Sequence, residues 1–478
     1  MDVIVRLPPL PVVPAAAIDR AKLALARAIG DSRVAVDADA CGAFAKDESE
    51  ADGRVPDIVV HAESLAHIEA TLRIAEEHGV PVTPRAGGTG RSGGAIPAAG
   101  GIVLATAKLS RIKDLDRKNL LAVVEPGVVT GDLHAAAEAE GLFYPPDPNS
   151  WKSCMIGGNV AENAGGPRAF KYGTTREYVL GVEACLMGGH TVRSGKRTVK
   201  GVTGYDVTAL LVGSEGTLGV FSEITLKLLP KPREIATALG LFRDSTSALD
   251  AVTAVLHHGL VPRCMEFLDP PALDALRSQG VAIDARAAAL LLIELDGGHV
   301  EADLMDLGEV LSSAPGSIDV QVAQDAARRA ALWEARRAMS PTTRKLAKYK
   351  ISEDVVVPRS AMSELLDRVA GIGLREGVRN LTYGHAGDGN LHVNFLWNDR
   401  AEDEAVERAV SQLMDATLAL GGTLSGEHGI GLTKQKYITR EQGPALVQLE
   451  HGLKRVFDPK GLLNPGKIFP PDGTHHAC

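Results

Sequence analysis

A glycine-rich stretch at residues 83–95, TPRAGGTGRSGGA, is the strongest constraint in this chain of 478 residues. Five of its thirteen residues are glycine, and it follows a short β-like run at residues 79–82. Because glycine has no Cβ, successive backbone N–H groups can point to the same side and form an anion-binding concavity. Arg85, Thr89 and Ser92 add a positive charge and hydroxyl donors. The stretch therefore predicts a loop that holds a diphosphate.

This loop differs from the two commonest phosphate-binding loops. A Walker A loop requires a lysine, and the stretch has none. Residues 88–93 fit the letters of the dinucleotide fingerprint, which opens a long helix, but Pro97, Gly100 and Gly101 follow and argue against a helix. The alternative interpretation is a flexible surface loop.

Two further small-residue segments lie at residues 157–166 and 213–221. Together with the first loop, they predict close backbone approach to one large flat or extended ligand. The alternative is a set of tight turns between strands.

Composition excludes several classes of partner. The net charge of -9 and the pI of about 5.9 argue against nucleic acid or an anionic membrane as the main partner. The five cysteines are widely spaced, which favours a reduced cytosolic protein and shows no thiolate metal motif. We expect neither a signal peptide nor a transmembrane helix.

Hydrophobic periodicity predicts a helix over residues 15–30, a strand–helix–strand unit from Asp57 into the glycine loop, and a helix over 130–140. The breaker Pro230-Lys231-Pro232 predicts a domain boundary. Residues 235–365 have the pattern of an α+β or mixed-sheet domain, with a long helix over 324–349 interrupted at Pro341.

Two motifs carry candidate catalytic residues. Residues 391–395 alternate, so Leu391, Val393 and Phe395 would face the core, with His392 and Asn394 on the opposite face. His385 precedes this strand.

The second motif, GEHGIG at residues 426–431, places Glu427 beside His428. Two histidines and a carboxylate form an open divalent metal site, so His385, His392 and Glu427 are candidate ligands and His428 a candidate general base. The alternative is histidines that stabilise turns or the core. Arg336 and Lys350 precede both motifs, and arginine can hold a small carboxylate bidentately, although a solvated helix face is the alternative.

These segments occur in an order that resembles a known family. The loop 84–95, the segments 144–166 and 212–219, the His385…His392 and Glu427-His428 motifs and the closing LNPGK at 463–467 resemble the flavin-dependent D-2-hydroxyacid dehydrogenases of the vanillyl-alcohol oxidase superfamily. Members include D-lactate dehydrogenase, the flavin subunit of glycolate oxidase and D-2-hydroxyglutarate dehydrogenase. The resemblance covers about residues 50 to 470.

The resemblance implies an α+β fold. An FAD-binding domain of the PCMH type, with two α/β subdomains, would be joined to a substrate domain with an antiparallel sheet and to a small helical C-terminal part. The implied limits are 1–50 for an N-terminal helical segment, 51–232 for the FAD-binding domain, 233–425 for the substrate domain and 426–478 for a C-terminal segment that contacts FAD.

The resemblance also implies site residues. FAD would be non-covalent, because no histidine lies between His78 and His134 to attach it. A divalent metal, zinc before manganese or iron, would be bound by His385, His392 and Glu427. The implied cofactor-binding residues are Arg85, Ala86, Gly87, Gly88, Thr89, Gly90, Ser92, Gly93, Pro146, Gly157, Gly158, Asn163, Gly165, Glu215, Gly219, Val220 and Asn464.

In the implied reaction, His428 takes the hydroxyl proton of the substrate while hydride passes from the α-carbon to flavin N5. Arg336 pairs with the substrate carboxylate, and Lys350 and Asn394 make further contacts. The sequence around Lys350 and the Pro145–Pro148 segment are closer to the lactate and glycolate group, which favours D-lactate, then glycolate, then D-2-hydroxyglutarate.

Electrons would leave through a separate acceptor: a quinone, a cytochrome, an electron-transfer flavoprotein or an iron–sulfur subunit. We expect a cytoplasmic enzyme. Peripheral association with the inner face of the membrane and a homodimer are both compatible with this expectation. Two alternatives stay open: a flavin subunit that is active only inside a glycolate-oxidase-like complex, and a flavin-free metal-dependent hydrolase. The three glycine-rich segments argue against the hydrolase.

Overall fold

The computed structural model describes residues 5–323 and 325–470. The predicted disordered tail at residues 475–478 falls outside them. Within the described residues the helices are α1 Ala15–Ile29, α2 Ala38–Gly42, α3 Leu65–His78, α4 Thr130–Ala139, α5 Ile156–Glu162, α6 Ala169–Tyr172, α7 Val207–Leu211, α8 Ser245–His257, α9 Pro270–Ser278, α10 Val300–Ser313, α11 Ala326–Leu332, α12 Glu334–Lys345, α13 Met362–Glu376, α14 Asp403–Ala419, α15 Ile438–Glu441 and α16 Pro444–Phe457.

The strands are mostly short and alternate with these helices. They are β1 Val34–Ala35, β2 Ile58–His61, β3 Val82–Arg85, β4 Ile102–Ala105, β5 Ile112–Asp116, β6 Leu121–Val124, β7 Leu142–Phe143, β8 Val179–Leu186, β9 His190–Gly195, β10 Val220–Lys227, β11 Leu229–Pro230, β12 Glu234–Phe242, β13 Cys264–Leu268, β14 Ala289–Gly297, β15 Ser317–Ala323, β16 Tyr349–Val356, β17 Arg379–His385 and β18 Asn390–Trp397.

The chain forms two compact units. Unit 1 comprises Met1–Ala164, Thr174–Lys231 and Glu427–Cys478, and unit 2 comprises Gly165–Gly173 and Pro232–Gly426. Helices and antiparallel sheets occur together, as an α+β fold requires, so the predicted fold class is confirmed. The four domain limits given above stay a prediction.

Unit 1 contains two main sheets. The first has the order β1-β2-β4-β3, with β2, β3 and β4 parallel, and α1 and α3 supply apolar side chains to its core. The helix α3 begins at Ser64, whose hydroxyl accepts a hydrogen bond from His67 N, and ends at Gly79, where φ is +66°. The predicted strand–helix–strand unit is therefore confirmed, and it delivers the chain into the glycine loop.

The second sheet of unit 1 is antiparallel, with the order β5-β6-β10-β8-β9. Its strand β10 begins at Val220, directly after the small-residue segment 213–219.

Unit 2 is built on one seven-stranded antiparallel sheet, in the order β15-β12-β14-β13-β17-β18-β16. The antiparallel sheet predicted for the substrate domain is confirmed. Every residue of β18 is buried, so the face that carries His392 and Asn394 is covered as well as the face that carries Leu391, Val393 and Phe395.

The long helix predicted over residues 324–349 is wrong in its extent and in its break. Gln324 lies outside the described residues, and two helices follow, α11 and α12, separated at Trp333. The Trp333 indole N–H donates to the Glu294 carboxylate at 3.0 Å, which holds this residue at the junction. Pro341 lies inside α12, and the chain becomes strand β16 from Tyr349.

Across residues 5–323 and 325–470, no helix has both the length and the apolar character needed to cross a membrane.

Candidate active site

The glycine loop of unit 1 leaves its backbone donors available. Within the described part of the chain, none of the backbone N–H groups of residues 86–94 donates a hydrogen bond. A row of N–H groups of this kind forms an anion-binding concavity when a ligand is present. The loop therefore has the donor set that a diphosphate requires.

The other predicted cofactor segments of unit 1 surround this loop. A Cβ on Gly87 would lie 3.0 Å from the Ser153 carbonyl oxygen, just before α5, so the backbones approach closely there. The Asn464 side-chain amide donates to Gly94 O at 3.0 Å and to Glu215 O at 2.7 Å. The structure thus brings together three small-residue stretches and the closing LNPGK segment.

Backbone strain is concentrated in the same place. Five non-glycine residues have positive φ among those described, and three of them, Asn163, Glu215 and Asn464, are predicted cofactor residues. A left-handed conformation is costly for residues other than glycine, and such strain is found preferentially at functional sites. The geometry favours a binding site over simple turns between strands.

The side chains of Arg85 and Glu215 make contacts within the protein. Arg85 Nη1 donates to Lys46 O at 2.8 Å, and its guanidinium lies over the Phe44 ring. The Glu215 carboxylate accepts from Ile430 N at 2.8 Å and Gly431 N at 2.7 Å. Glu215 therefore holds the backbone at the second and third residues after His428.

Glu162, Glu215 and Lys467 lie near one another in this part of unit 1, and Glu215 and Lys467 are buried while Glu162 is half-buried. Burial raises the pKa of Glu162 well above its usual range, and the neighbouring Glu215 raises it further. Burial also raises the pKa of Glu215, although the Ile430 and Gly431 N–H groups oppose this. Burial lowers the pKa of Lys467 to about 8, against the charges of nearby carboxylates. A carboxylate pair of this kind favours retention of a proton.

The remaining predicted cofactor residues lie as follows. Gly157 and Gly158 are on α5, Pro146 accepts from His134 Nε2 at 2.9 Å through its carbonyl, and Gly219 and Val220 lie at the start of β10. Gly165 belongs to the short segment assigned to unit 2.

The histidines of unit 2 lie on one face of the sheet because of strand register. His392 on β18 pairs with Tyr383 on β17 and with Asp354 on β16, and His385 pairs with Glu266 on β13. The imidazole centroids of His385 and His392 are 5.2 Å apart, with the rings nearly perpendicular.

Asn394 follows on the same face and is fully buried. Its Nδ2 donates to His392 O at 2.9 Å, whereas its Oδ1 has no hydrogen-bond partner among the described residues. A buried acceptor without a partner is costly, so a ligand donor would complete it. Lys350 is half-buried on β16, and it lies on the same face of that strand as Asp354.

Arg336 lies on α12 and is buried. Its Nε donates to Glu266 Oε2 at 2.5 Å, and its guanidinium lies 5.1 Å from the Tyr383 ring centroid. The other oxygen of Glu266 lies 2.5 Å from His385 Nδ1. Burial alone would raise the pKa of Glu266, but His385 and Arg336 outweigh it and hold that pKa below its usual value.

Asp354 occupies the corresponding position beside His392. Its carboxylate lies 3.8 Å from His392 Nδ1, accepts from Asn390 Nδ2, and accepts from Gly426 N at 2.9 Å. Gly426 is the last residue of unit 2, and Glu427 follows it directly. Asp354 therefore anchors the backbone from which Glu427 extends.

The three predicted metal ligands are His385 and His392 in unit 2 and Glu427, the first residue of the last segment of unit 1. Two imidazoles and a carboxylate suit zinc and other divalent ions and leave coordination positions for a substrate. His428 is the next residue, with Nε2 3.9 Å from Glu427 Oε1.

Sequence reasoning missed Glu266, Asp354, Glu162 and Lys467 as residues of these sites. Glu266 is 119 residues from His385 along the chain, so no local motif reveals it. Glu162 lies within the small-residue segment 157–166, and Lys467 lies within the LNPGK segment at 463–467. A charged residue inside such a segment was the available signal.

Two family models match this chain. The family described as "FAD linked oxidases, C-terminal domain" matches residues 231–468, and the family described as "FAD binding domain" matches residues 56–195.

Two relatives illustrate the sequence similarity. The chain is 40% identical to glycolate oxidase subunit GlcD of Bacillus subtilis, over 87% of this chain and 90% of that one. It is 35% identical to D-lactate dehydrogenase of Anaerostipes hadrus, over 89% and 92% of the two chains.

Solved structures show the same fold at low sequence identity. A 4-ethylphenol oxidase from Gulosibacter chungangensis aligns with a TM-score of 0.79 at 17% identity, covering 96% of this chain and 98% of that one. A p-cresol methylhydroxylase aligns with a TM-score of 0.74 at 18% identity, covering 95% and 97%. The chain has the PCMH-type fold and belongs to the FAD-linked oxidoreductase family that contains GlcD and D-lactate dehydrogenase.

Proposed function

We propose that this enzyme oxidises a small D-2-hydroxyacid, D-lactate in preference to others, to the corresponding 2-oxoacid. The observation that carries the proposal is the common sheet face of His385, His392 and Asn394, with Arg336 buried against Tyr383 of the same face. This set combines candidate metal ligands, a hydrogen-bond acceptor and a guanidinium. An α-hydroxycarboxylate has the matching groups: a carboxylate, a hydroxyl and an adjacent C–H.

Each residue then has a defined task. The Arg336 guanidinium pairs with the substrate carboxylate, and Asn394 and Lys350 add polar contacts. His428 takes the hydroxyl proton, because an imidazole titrates near neutral pH. The glycine loop and its neighbouring segments would hold FAD non-covalently, and FAD would supply the acceptor for the hydride of the α-carbon. A divalent metal on His385, His392 and Glu427, zinc in preference to manganese or iron, would polarise the substrate oxygens.

Glycolate is the second candidate substrate, and the 40% identity to a glycolate oxidase subunit favours it. Glycolate lacks the methyl group of D-lactate, a difference worth about 1–3 kcal/mol in an apolar pocket. We propose that electrons leave the reduced flavin through a separate acceptor, a quinone, cytochrome, electron-transfer flavoprotein or iron–sulfur subunit. Turnover of the isolated chain with an artificial dye would distinguish a self-sufficient dehydrogenase from a subunit that works only in a complex.

The test is anaerobic bleaching of the flavin absorbance with D-lactate, L-lactate, glycolate and D-2-hydroxyglutarate. We expect bleaching with D-lactate, slower bleaching with glycolate and none with L-lactate. Equal rates with both lactate enantiomers would refute the stereochemistry, and bleaching with none of these acids would refute the substrate class.

A further inference from the structure

The carboxylate of Glu266 joins two parts of the proposed site. One of its oxygens contacts Arg336 Nε and the other contacts His385 Nδ1, both at 2.5 Å. The carboxylate is completely buried, and it lies directly across the strand pair from His385. This single carboxylate therefore contacts both Arg336, the candidate substrate-binding cation, and His385, a candidate metal ligand.

The contact to His385 has a chemical consequence. A carboxylate at Nδ1 favours the proton on that nitrogen, which leaves Nε2 as the metal-binding atom. It also fixes the orientation of the ring. Carboxylate partners of metal-bound histidines typically change metal affinity about 10–100-fold when they are mutated.

The contact to Arg336 has a parallel consequence. A guanidinium is a planar fork, so a partner at Nε fixes the direction in which its terminal nitrogens point. A substrate carboxylate bound bidentately is sensitive to that direction. Loss of Glu266 would leave Arg336 buried and reoriented.

We infer that Glu266 is a positioning residue that sets both the metal-binding nitrogen of His385 and the direction of the Arg336 guanidinium. This inference rests on the proposed function. It assigns to Glu266 a joint effect on metal affinity and on substrate binding that neither contact alone would give.

The test uses the FAD-loaded protein with Glu266→Gln. Glutamine keeps the size of the side chain but has only one acceptor oxygen, so it cannot accept from both donors. Glu266→Asp is the second variant, because it keeps the charge and shortens the reach by one methylene. Zn²⁺ and Mn²⁺ affinities are measured by chelator competition in the absence of substrate, and KM and kcat are measured with D-lactate and a dye.

Asp296→Asn is the matched control. Asp296 is a buried carboxylate of the same sheet, on β14, and it contacts Lys171 Nζ at 2.6 Å and Tyr172 Oη at 2.8 Å. Like Glu266 it is buried and paired with a cation, here Lys171, but it touches neither histidine in any contact described above. Its loss therefore reports general damage to a buried charge pair.

We expect Glu266→Gln to weaken metal binding about 10–100-fold and to raise KM, while Asp296→Asn loses comparable thermal stability and keeps both values. If Glu266→Gln does not fold, Glu266→Asp is expected to show the same two losses. If both Glu266 variants have the same metal affinity and KM as the control, the inference about Glu266 is wrong and the proposed function is unaffected. A wild-type protein that binds no divalent ion would overturn the metal site of the proposed function, and the inference with it.

Discussion

Replacement of Glu215 by glutamine tests how the loop that carries His428 is held. The Glu215 carboxylate accepts from Ile430 N and Gly431 N at 2.8 and 2.7 Å. Hydrogen bonds to a charged group contribute about 1.5–3 kcal/mol each. Glutamine keeps one acceptor oxygen and presents an NH₂ group to the other backbone N–H, which leaves one buried donor unmet at a cost of about 1–3 kcal/mol.

An opposing effect reduces this loss. The charge of Glu215 raises the pKa of Glu162, so its removal lowers the cost of ionising the Glu162 carboxyl group. We therefore expect a net local destabilisation of about 2–4 kcal/mol. A catalytic base displaced by about 1 Å can lose about a hundredfold in rate, so flavin reduction should slow about 10–100-fold.

The assay is stopped-flow flavin reduction at saturating hydroxyacid, with FAD content and thermal unfolding measured on the same preparation. Glu183→Gln is the control, because Glu183 is a buried carboxylate of unit 1 that bonds the Arg193 and Ser222 side chains instead of the 430–431 backbone. We expect this control to reduce its flavin normally. Wild-type reduction by Glu215→Gln would refute the claim that this carboxylate positions the loop.

Three further predictions concern His428, Arg336 and Asp269. His428→Asn should abolish flavin reduction and leave FAD bound, as judged by stopped-flow and visible absorbance; normal reduction would remove His428 as the base. Arg336→Lys should raise KM for the hydroxyacid more than it lowers kcat, since the bidentate fork is lost and the charge is kept; an unchanged KM would exclude Arg336 from carboxylate binding. Burial raises the pKa of Asp269 to about 7, so its contribution to stability is present below about pH 4 and is lost as pH rises through 7. Asp269→Asn should therefore flatten the decline in melting temperature over that range; a decline as steep as in wild type would contradict this.

The fold class was predictable because local patterns specify it. Ser64 and Gly79 mark the ends of α3 by ordinary capping chemistry, and the alternation of residues 391–395 gives the two faces of β18. The break near Trp333 was not predictable in the same way. It depends on Glu294, a residue of another strand, whereas Pro341 is the local breaker and is tolerated inside α12.

Some residues of the candidate site were predictable from the sequence, and others were not. His385 and Glu427 stand out because glycines lie close on both sides of them, and His392 because it lies in an alternating strand pattern. Their supporting carboxylates do not, since Glu266 and Asp354 lie in ordinary strand sequences and reach the histidines only through sheet register. Register between distant strands depends on the whole sheet, and a single sequence contains no direct record of it.

The short loop at residues 426–431 illustrates the same distinction. Three of its six residues are glycine, and glycine loses more conformational freedom on folding than any other residue. The loop sequence alone therefore cannot fix where Glu427 and His428 lie. The structure supplies one anchor on each side of this dipeptide: Asp354 accepts from Gly426 N, and Glu215 accepts from Ile430 N and Gly431 N. Because both anchors are buried carboxylates, a neutral amide at either position removes the charge-assisted bonds without changing the size of the side chain. The position of the proposed base is thus determined by residues far from it in sequence, and substitutions at these anchors should affect the reaction more than substitutions of exposed residues elsewhere in the chain.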